Sequence, residues 1–368
     1  MRPREIASNI KPERESHVDP HRFHQVFLQS RYTWVHFLVI LIVSLAFIAI
    51  PQRLPIDWDL ITKGFWSDIP RTYLNGNNFV YPPWGLILLL PYYLVQAAGA
   101  RVLSVVTVGL LAYKRKWPFF YFFIIVLSPY FMMTMTKSNM DVLTMVLSVL
   151  LWEISTGKPW GPVGRGLSLS IMLLKPQGTF LLILFLLWKS RKEWRQLLAS
   201  LAFASLIIIP ISLMGSPPLV LQWLNNINHP SPQYQFYWLI NNISLTAKFG
   251  FWVALGILGL LLVLAFSLVR AGKIPWSDDL TISSLLQCSM YLSPYASQQS
   301  FSSALAFIPS WPAFLSQWLV FIFGVVMFGV IDSSIALWTI PIGLFTLIFY
   351  VLSLNRKTRR LFGLSDVD

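Results

Sequence analysis

The sequence predicts an all-α, polytopic integral membrane protein, with about 12 transmembrane helices and a juxtamembrane helix in the first external loop. Three observations carry this expectation. Hydrophobic residues make up 55% of 368 and charged ones 12%, against about a quarter charged in an ordinary soluble domain; mean hydropathy is +0.61. Apolar runs of the roughly 17–25 residues that span a hydrocarbon core recur along the chain. The 28 Lys and Arg, against 15 Asp and Glu, cluster between those runs. A β-barrel would need short segments alternating apolar and polar, and the unbroken apolar run 251–269 excludes that pattern. The net charge of +13 would suit nucleic acid on a soluble chain. In a membrane chain the placement of the charges matters more than their sum, so the expected partner is the lipid bilayer and no nucleic acid.

Each element follows from the rule that Lys and Arg concentrate on the cytoplasmic side. Residues 1–32 form a cytoplasmic tail, too long and too polar to be the leading region of a cleaved signal peptide, so 33–50 is a retained first helix running outward. An external loop, 51–98, contains the segment 81–95. Its Tyr81-Pro82-Pro83 start and its Pro91 suit a helix docked at the membrane surface; a full crossing there would turn Lys114-Arg115-Lys116 outward. Crossings follow at 100–113, 117–133, 139–155, 164–174, 178–188 and 197–214. A second external loop, 215–248, precedes crossings at 249–269, 280–292, 301–311, 313–330 and 334–354, and 355–368 is a cytoplasmic tail. The stretch 33–354 is thus one transmembrane domain with both termini cytoplasmic, expected in the plasma membrane of a prokaryotic cell.

The single cysteine, Cys288, excludes an intrachain disulfide and sits in a packing context. His17, His21 and His24 have spacings that could bind metal, but a short polar tail is ordinarily just solvated. No metal site and no cofactor are expected.

Four polar constellations fall on the external side of this topology. The first is Asp57-Trp58-Asp59, just past the first helix, where a carboxylate desolvated by an overlying loop could act as a general base; the alternative is a polar anchor at a helix end. The second is Ser138-Asn139-Met140-Asp141, in which Asp141 opens a helix and could equally be a capping residue or the partner of Lys137. The third is Lys175, with Pro176 and Gln177 after it. A cation on the outer side runs against the positive-inside trend and calls for an anion, such as the phosphate of a lipid-linked substrate. The fourth is the run Ser293-Pro294-Tyr295-Ala296-Ser297-Gln298-Gln299-Ser300. Convergence of all four on one side fits a single site, in an enzyme or in a transporter vestibule.

The ordered set resembles the GT-C superfamily of polyprenol-phosphate-sugar-dependent glycosyltransferases, closest to the bacterial α-1,2-mannosyltransferase branch, glycosyltransferase family eighty-seven. The family's Asp-aromatic pair is matched by Asp57-Trp58, and its aromatic-Tyr-Pro-Pro segment by Phe79-Val80-Tyr81-Pro82-Pro83. Its Gly-Gln-Val-Asn or Gly-Gln-Val-Asp stretch is matched by Ser138-Asn139-Met140-Asp141, its Leu-Lys-Pro by Leu174-Lys175-Pro176, and its Ser-Pro by Ser293-Pro294. Where the family often carries aspartate or histidine after Ser-Pro, this chain has Gln298 and Gln299, which transfer no protons at neutral pH.

The resemblance implies a GT-C-like fold and a polyprenyl-phosphate-linked sugar donor, with mannose as the sugar. Asp57 or Asp59 would deprotonate a hydroxyl of a lipid or glycan acceptor. Tyr81, Asn139, Asp141, Lys175, Gln177, Tyr295, Gln298 and Gln299 would bind donor and acceptor. The rival expectations are a flippase for lipid-linked sugars, or an inactive homologue, for which Gln298 and Gln299 speak.

Overall fold

A computed structural model describes residues 20–49, 73, 81–117, 119–136, 139–228, 242, 244–270, 278–296, 300–309, 314–315 and 317–318. Every regular element among them is helical. They are α1 (Pro20–Ile48), α2 (Gly85–Leu88), α3 (Leu90–Lys114), α4 (Phe119–Val126) and α5 (Pro129–Thr136). A π-helical segment (Val142–Leu147) leads into α6 (Ser148–Ser155), followed by α7 (Gly161–Met172), α8 (Pro176–Lys189) and, after a 3₁₀ turn (Arg191–Glu193), α9 (Trp194–Ser212). The rest are α10 (Leu219–Asn228), α11 (Leu245–Phe249), α12 (Phe251–Arg270), α13 (Asp278–Leu292) and α14 (Phe301–Leu305).

Among the described residues two stretches are long and apolar enough to cross a membrane, Ala97–Lys114 and Arg191–Ser212. Their surroundings show which solvent they suit. Along α1, His36, Ile40, Ser44 and Phe47 are buried at helical spacing. The opposite face exposes Trp34, Val35, Phe37, Leu38, Leu41, Ile42 and Leu45. A helix of a water-soluble protein would turn its apolar stripe inward and its polar residues out; α1 does the reverse, as hydrocarbon requires. α9 and α12 repeat the pattern with Leu198, Leu206 and Ile209, and with Trp252, Leu255, Leu260 and Val263.

Small residues let the helices approach. A Cβ on Gly166 of α7 would lie 2.6 Å from the carbonyl oxygen of Ser200 on α9, so only glycine fits this contact.

Several boundaries differ from the sequence expectation. α1 begins at Pro20, inside the stretch read as a tail. α3 is one helix from Leu90, because Pro91 occupies the first turn, where its missing N–H costs nothing. The helix expected at 81–95 is therefore divided between α2 and the start of α3, which begins ten residues ahead of the crossing expected at 100–113. The expected crossing 117–133 is two helices, broken where Pro129 starts α5. α7 and α8, at 12 and 14 residues, rise about 18 and 21 Å, short of the roughly 30 Å core. The last two expected crossings, 313–330 and 334–354, lie almost wholly or wholly outside the described residues.

Candidate active site around Lys175

Lys175 stands between α7 and α8. The residue before a proline is pushed out of the helical region, and Lys175 accordingly has φ −129° and ψ 65° at the N-cap of α8. An ammonium at a helix N-terminus opposes the macrodipole, and this one is also buried, at 9% exposure. Both penalties call for an anion. Asp141, fully buried, supplies it: Lys175 Nζ lies 2.5 Å from Asp141 Oδ1 and donates to Asn139 Oδ1 at 3.1 Å. The ring of Tyr81 adds its face, 5.6 Å from Nζ.

The cation expected to await a ligand's phosphate thus already has an internal partner, 34 residues away in sequence. Asp141 caps nothing with its side chain. Its other oxygen, Oδ2, accepts from Ser300 Oγ at 2.6 Å, while its backbone N–H donates to Asn139 Oδ1 at 2.9 Å. Asn139 Oδ1 therefore fixes both the Asp141 backbone and the Lys175 ammonium. Immediately after Asp141 the chain takes its π-helical turns, Val142–Leu147, with Val142–Val146 buried. Such segments are rare overall and frequent at functional sites.

Tyr81 is held from its backbone, where its carbonyl accepts Tyr73 Oη at 2.7 Å. Around it a small apolar cluster forms from Trp84, Leu86, Leu89, Met140, Leu143 and Leu174. The Tyr-Pro-Pro segment therefore walls the lysine with aromatic and aliphatic groups, a setting of low polarity that strengthens its ionic bond.

On the other side of Lys175 a cavity of about 30 Å³ is lined by Gln177, Gly178, Met145, Met290, Tyr295, Ala296 and Ser300. It has room for about one water and none for a sugar ring. A Cβ on Gly178 would collide with the Met145 methyl, so glycine here lets α8 meet the π-helical segment. Tyr295 is positioned by Asn242. That amide donates to the Pro294 carbonyl at 2.9 Å, and its oxygen accepts from Ala296 N at 3.1 Å. Ser244 Oγ donates to the Ser293 carbonyl as well.

Of the residues picked out in the sequence, Tyr81, Asn139, Asp141, Lys175, Gln177 and Tyr295 come together. Asp57, Asp59, Lys137, Gln298 and Gln299 lie outside the described residues. Ser300 and Asn242 were missed as site residues. Ser300 ends the polar run that the sequence flagged, and its place at the start of an apolar helix was the available signal. Asn242 offered none beyond its Asn-X-Ser pattern. Among the described residues no three His, Cys, Asp or Glu side chains gather as metal ligands.

A larger cavity, about 560 Å³, lies at the far end of α8, lined by Arg115, Glu153, Lys189, Glu193, Asp278 and Asp279 among others. Its charges all have ionic partners. Arg115 bonds Glu153 and Asp279, Lys189 bonds Asp278, and Glu193 takes the buried Arg165. Size alone would favour this cavity; the buried cation, the polar convergence and the π-helical segment place the candidate site at Lys175 instead.

Comparison with curated proteins and with solved structures returns no match. A family model, Glycosyltransferase family 87, matches residues 79–297. That stretch holds Tyr81, Asn139, Asp141, Lys175, Gln177 and Tyr295, begins after Asp57 and Asp59, and ends just before Ser300. Covering more than half of the chain, the match makes this protein a member of Glycosyltransferase family 87, a membrane glycosyltransferase.

Proposed function

We propose that this glycosyltransferase moves mannose from a polyprenyl-phosphate donor to a hydroxyl of a lipid or glycan acceptor on the extracytoplasmic side, with inversion. The observation that carries the reading is Lys175, a buried cation at the junction of two helices too short to cross the bilayer alone. With the far ends of α7 and α8 at the basic inner surface, arms of about 18 and 21 Å leave Lys175 about 10 Å short of the outer edge of the core. A donor carried on a polyprenyl chain can approach such a cation from within the membrane, and the cation offsets the cost of its phosphate there.

In the proposed reaction the acceptor oxygen forms a bond to the anomeric carbon while the bond from that carbon to the phosphate oxygen breaks. The hydroxyl proton passes to Asp57, and polyprenyl phosphate leaves with the electron pair. Lys175 shares its ammonium between Asp141 and the phosphate as negative charge develops there, which is electrostatic stabilisation in a poorly hydrated site. Asp141, bonded to Lys175 and Ser300, orients the lysine and is not the base. Tyr81, Gln177 and Tyr295 contact donor or acceptor, together with Gln298 and Gln299. Asp59 supports Asp57.

The same proposal includes about 12 crossings, cytoplasmic termini and a plasma-membrane location, supported by the placement of the basic clusters. Impermeant labelling of single cysteines, in a background lacking Cys288, tests it: position 116 should react only from the cytoplasmic side. Purified protein incubated with polyprenyl-phosphate-mannose and a membrane lipid extract should yield a mannosylated product and free polyprenyl phosphate in equal amounts. Product formed only from a nucleotide sugar would overturn the donor assignment.

A further inference from the structure

The two ends of α8 differ in chemistry. Lys175 precedes its first residue and Lys189 is its last, about 21 Å apart by helical rise. Beyond Lys189 the chain turns through Arg191–Glu193 into α9, and Trp188, Arg191, Lys192, Trp194 and Arg195 are all exposed on that turn. The turn before α7 adds exposed Lys158 and Trp160. It lies beside α9, since a Cβ on Gly161 would stand 3.9 Å from Gln196 Oε1.

The cations and the rings are paired in space. Arg191 Cζ lies 4.2 Å from the Trp188 ring centroid, and its NH1 donates to the Trp188 carbonyl at 2.9 Å; Arg195 Cζ lies 5.4 Å from the Trp194 ring. The nearby carboxylates are already taken, Glu193 by Arg165 and Asp278 by Lys189. Arg191, Lys192 and Arg195 make no salt bridge to a carboxylate among the described residues. Exposed apolar residues continue on both sides of the turn, Leu184 on α8 and Leu198 and Leu201 on α9. A lipid-facing surface therefore runs up to these charges and stops at a band of tryptophan.

We propose that this Trp-Arg turn binds the headgroup phosphates of anionic phospholipids in the leaflet at this end of the molecule. Tryptophan favours the headgroup level of a bilayer. A guanidinium stacked on a ring still turns N–H donors outward to grip phosphate oxygens, and Arg191 spends only NH1 on the Trp188 carbonyl. An excess of three cations suits an anionic headgroup over a zwitterionic one, and the flanking leucines provide for the acyl chains. The site is separate from the donor site and does not depend on the donor assignment.

Thermal unfolding of the protein in a neutral detergent, titrated with dihexanoyl-phosphatidylglycerol or dihexanoyl-phosphatidylcholine, tests the proposal. Phosphatidylglycerol should stabilise at the lower concentration. The R191Q/K192Q/R195Q variant should need about 100-fold more of it, at about fivefold per charge, with its phosphatidylcholine response unchanged. These positions are exposed, so the variant should keep the parent's unfolding temperature without added lipid. An equal phosphatidylglycerol response in parent and variant would overturn the proposal. So would a parent that does not distinguish the two lipids, or inorganic phosphate stabilising as well as phosphatidylglycerol does.

Discussion

Lys175 and Arg115 are both cations tied to carboxylates on other helices, at opposite ends of α8, yet they are built differently. Arg115 is filled: its Nε reaches both oxygens of Asp279 at 2.8 and 3.0 Å, and NH1 and NH2 reach Glu153 at 2.9 and 2.7 Å. Lys114 joins Glu153 at 2.8 Å. A planar fork saturated by two carboxylates has a fixed geometry, suited to clamping α3, α6 and α13 together. Lys175 is a compact point charge with one carboxylate, an amide oxygen, an aromatic face and a small cavity beside it. It is also the more deeply buried of the two pairs, with side-chain exposures of 11% and 0%, against 17% to 23% for Arg115 and its carboxylates. The difference teaches that charge and burial do not by themselves mark a functional cation. A compact ammonium at a helix junction, beside a cavity, is the better candidate.

The largest expected effect lies on the chemistry that Lys175 is proposed to serve. Asp57→Asn should lower turnover by about 10²–10⁴, the usual loss with a general base, while donor affinity persists; Asp59→Asn should cost less. Parallel turnover and donor-binding measurements on the two variants check this, and full turnover in Asp57→Asn would leave the lysine site without its base. Next come the two cations themselves. Lys175→Met strands a fully buried carboxylate and should destabilise by about 3–5 kcal/mol. Arg115→Met, whose carboxylates stay partly hydrated, should cost less, about 1–3 kcal/mol, and should leave donor affinity unchanged. Unfolding in detergent ranks the pair, and the reverse order would break the contrast between the two ends.

Ser300→Ala sharpens it further. Losing a hydroxyl that donates to Asp141 should cost about 1.5–3 kcal/mol, and it should raise donor KM more than it lowers kcat, because the carboxylate that holds Lys175 loses its second anchor. The smallest effect is expected at the exposed Lys189–Asp278 pair, with side-chain exposures of 52% and 67%. Asp278→Asn should change stability by less than about 1 kcal/mol, and high salt should erase the difference.

Much of this site was legible in the sequence because it depends on expense. A lysine far from any basic cluster demands an anion wherever the chain goes, so Lys175 could be singled out from its neighbours alone. Which anion it takes was not legible. Asp141 lies on another helix, Lys137 was nearer to it in sequence, and the packing of the α7–α8 junction against the π-helical segment decides the match. The π-helical turns themselves have no signal, since Val142–Leu147 reads as an ordinary apolar run. Helix boundaries failed at two prolines, Pro91, read as internal to a short docked helix, and Pro129, passed over inside the expected crossing 117–133. Pro91 sits in a first turn, where it extends α3 toward its N-terminus, while Pro129 does separate two helices. The external half of the expected site, with Asp57, Asp59, Gln298 and Gln299, lies outside the described residues, so the base remains a proposal that rests on the Asp-aromatic resemblance.

The central claim is that the Lys175 ammonium, held by Asp141, binds the donor phosphate. The double variant K175M/D141N tests it most directly, because removing both charges leaves neither stranded and spares the fold. Its affinity for a polyprenyl-phosphate sugar, measured in the same detergent as the parent's and at matched stability, should fall by about 10- to 100-fold, the loss of one charge-assisted contact. A double variant that folds like the parent and binds the donor as tightly would contradict the claim and reduce the pair to a strut between α8 and the π-helical segment.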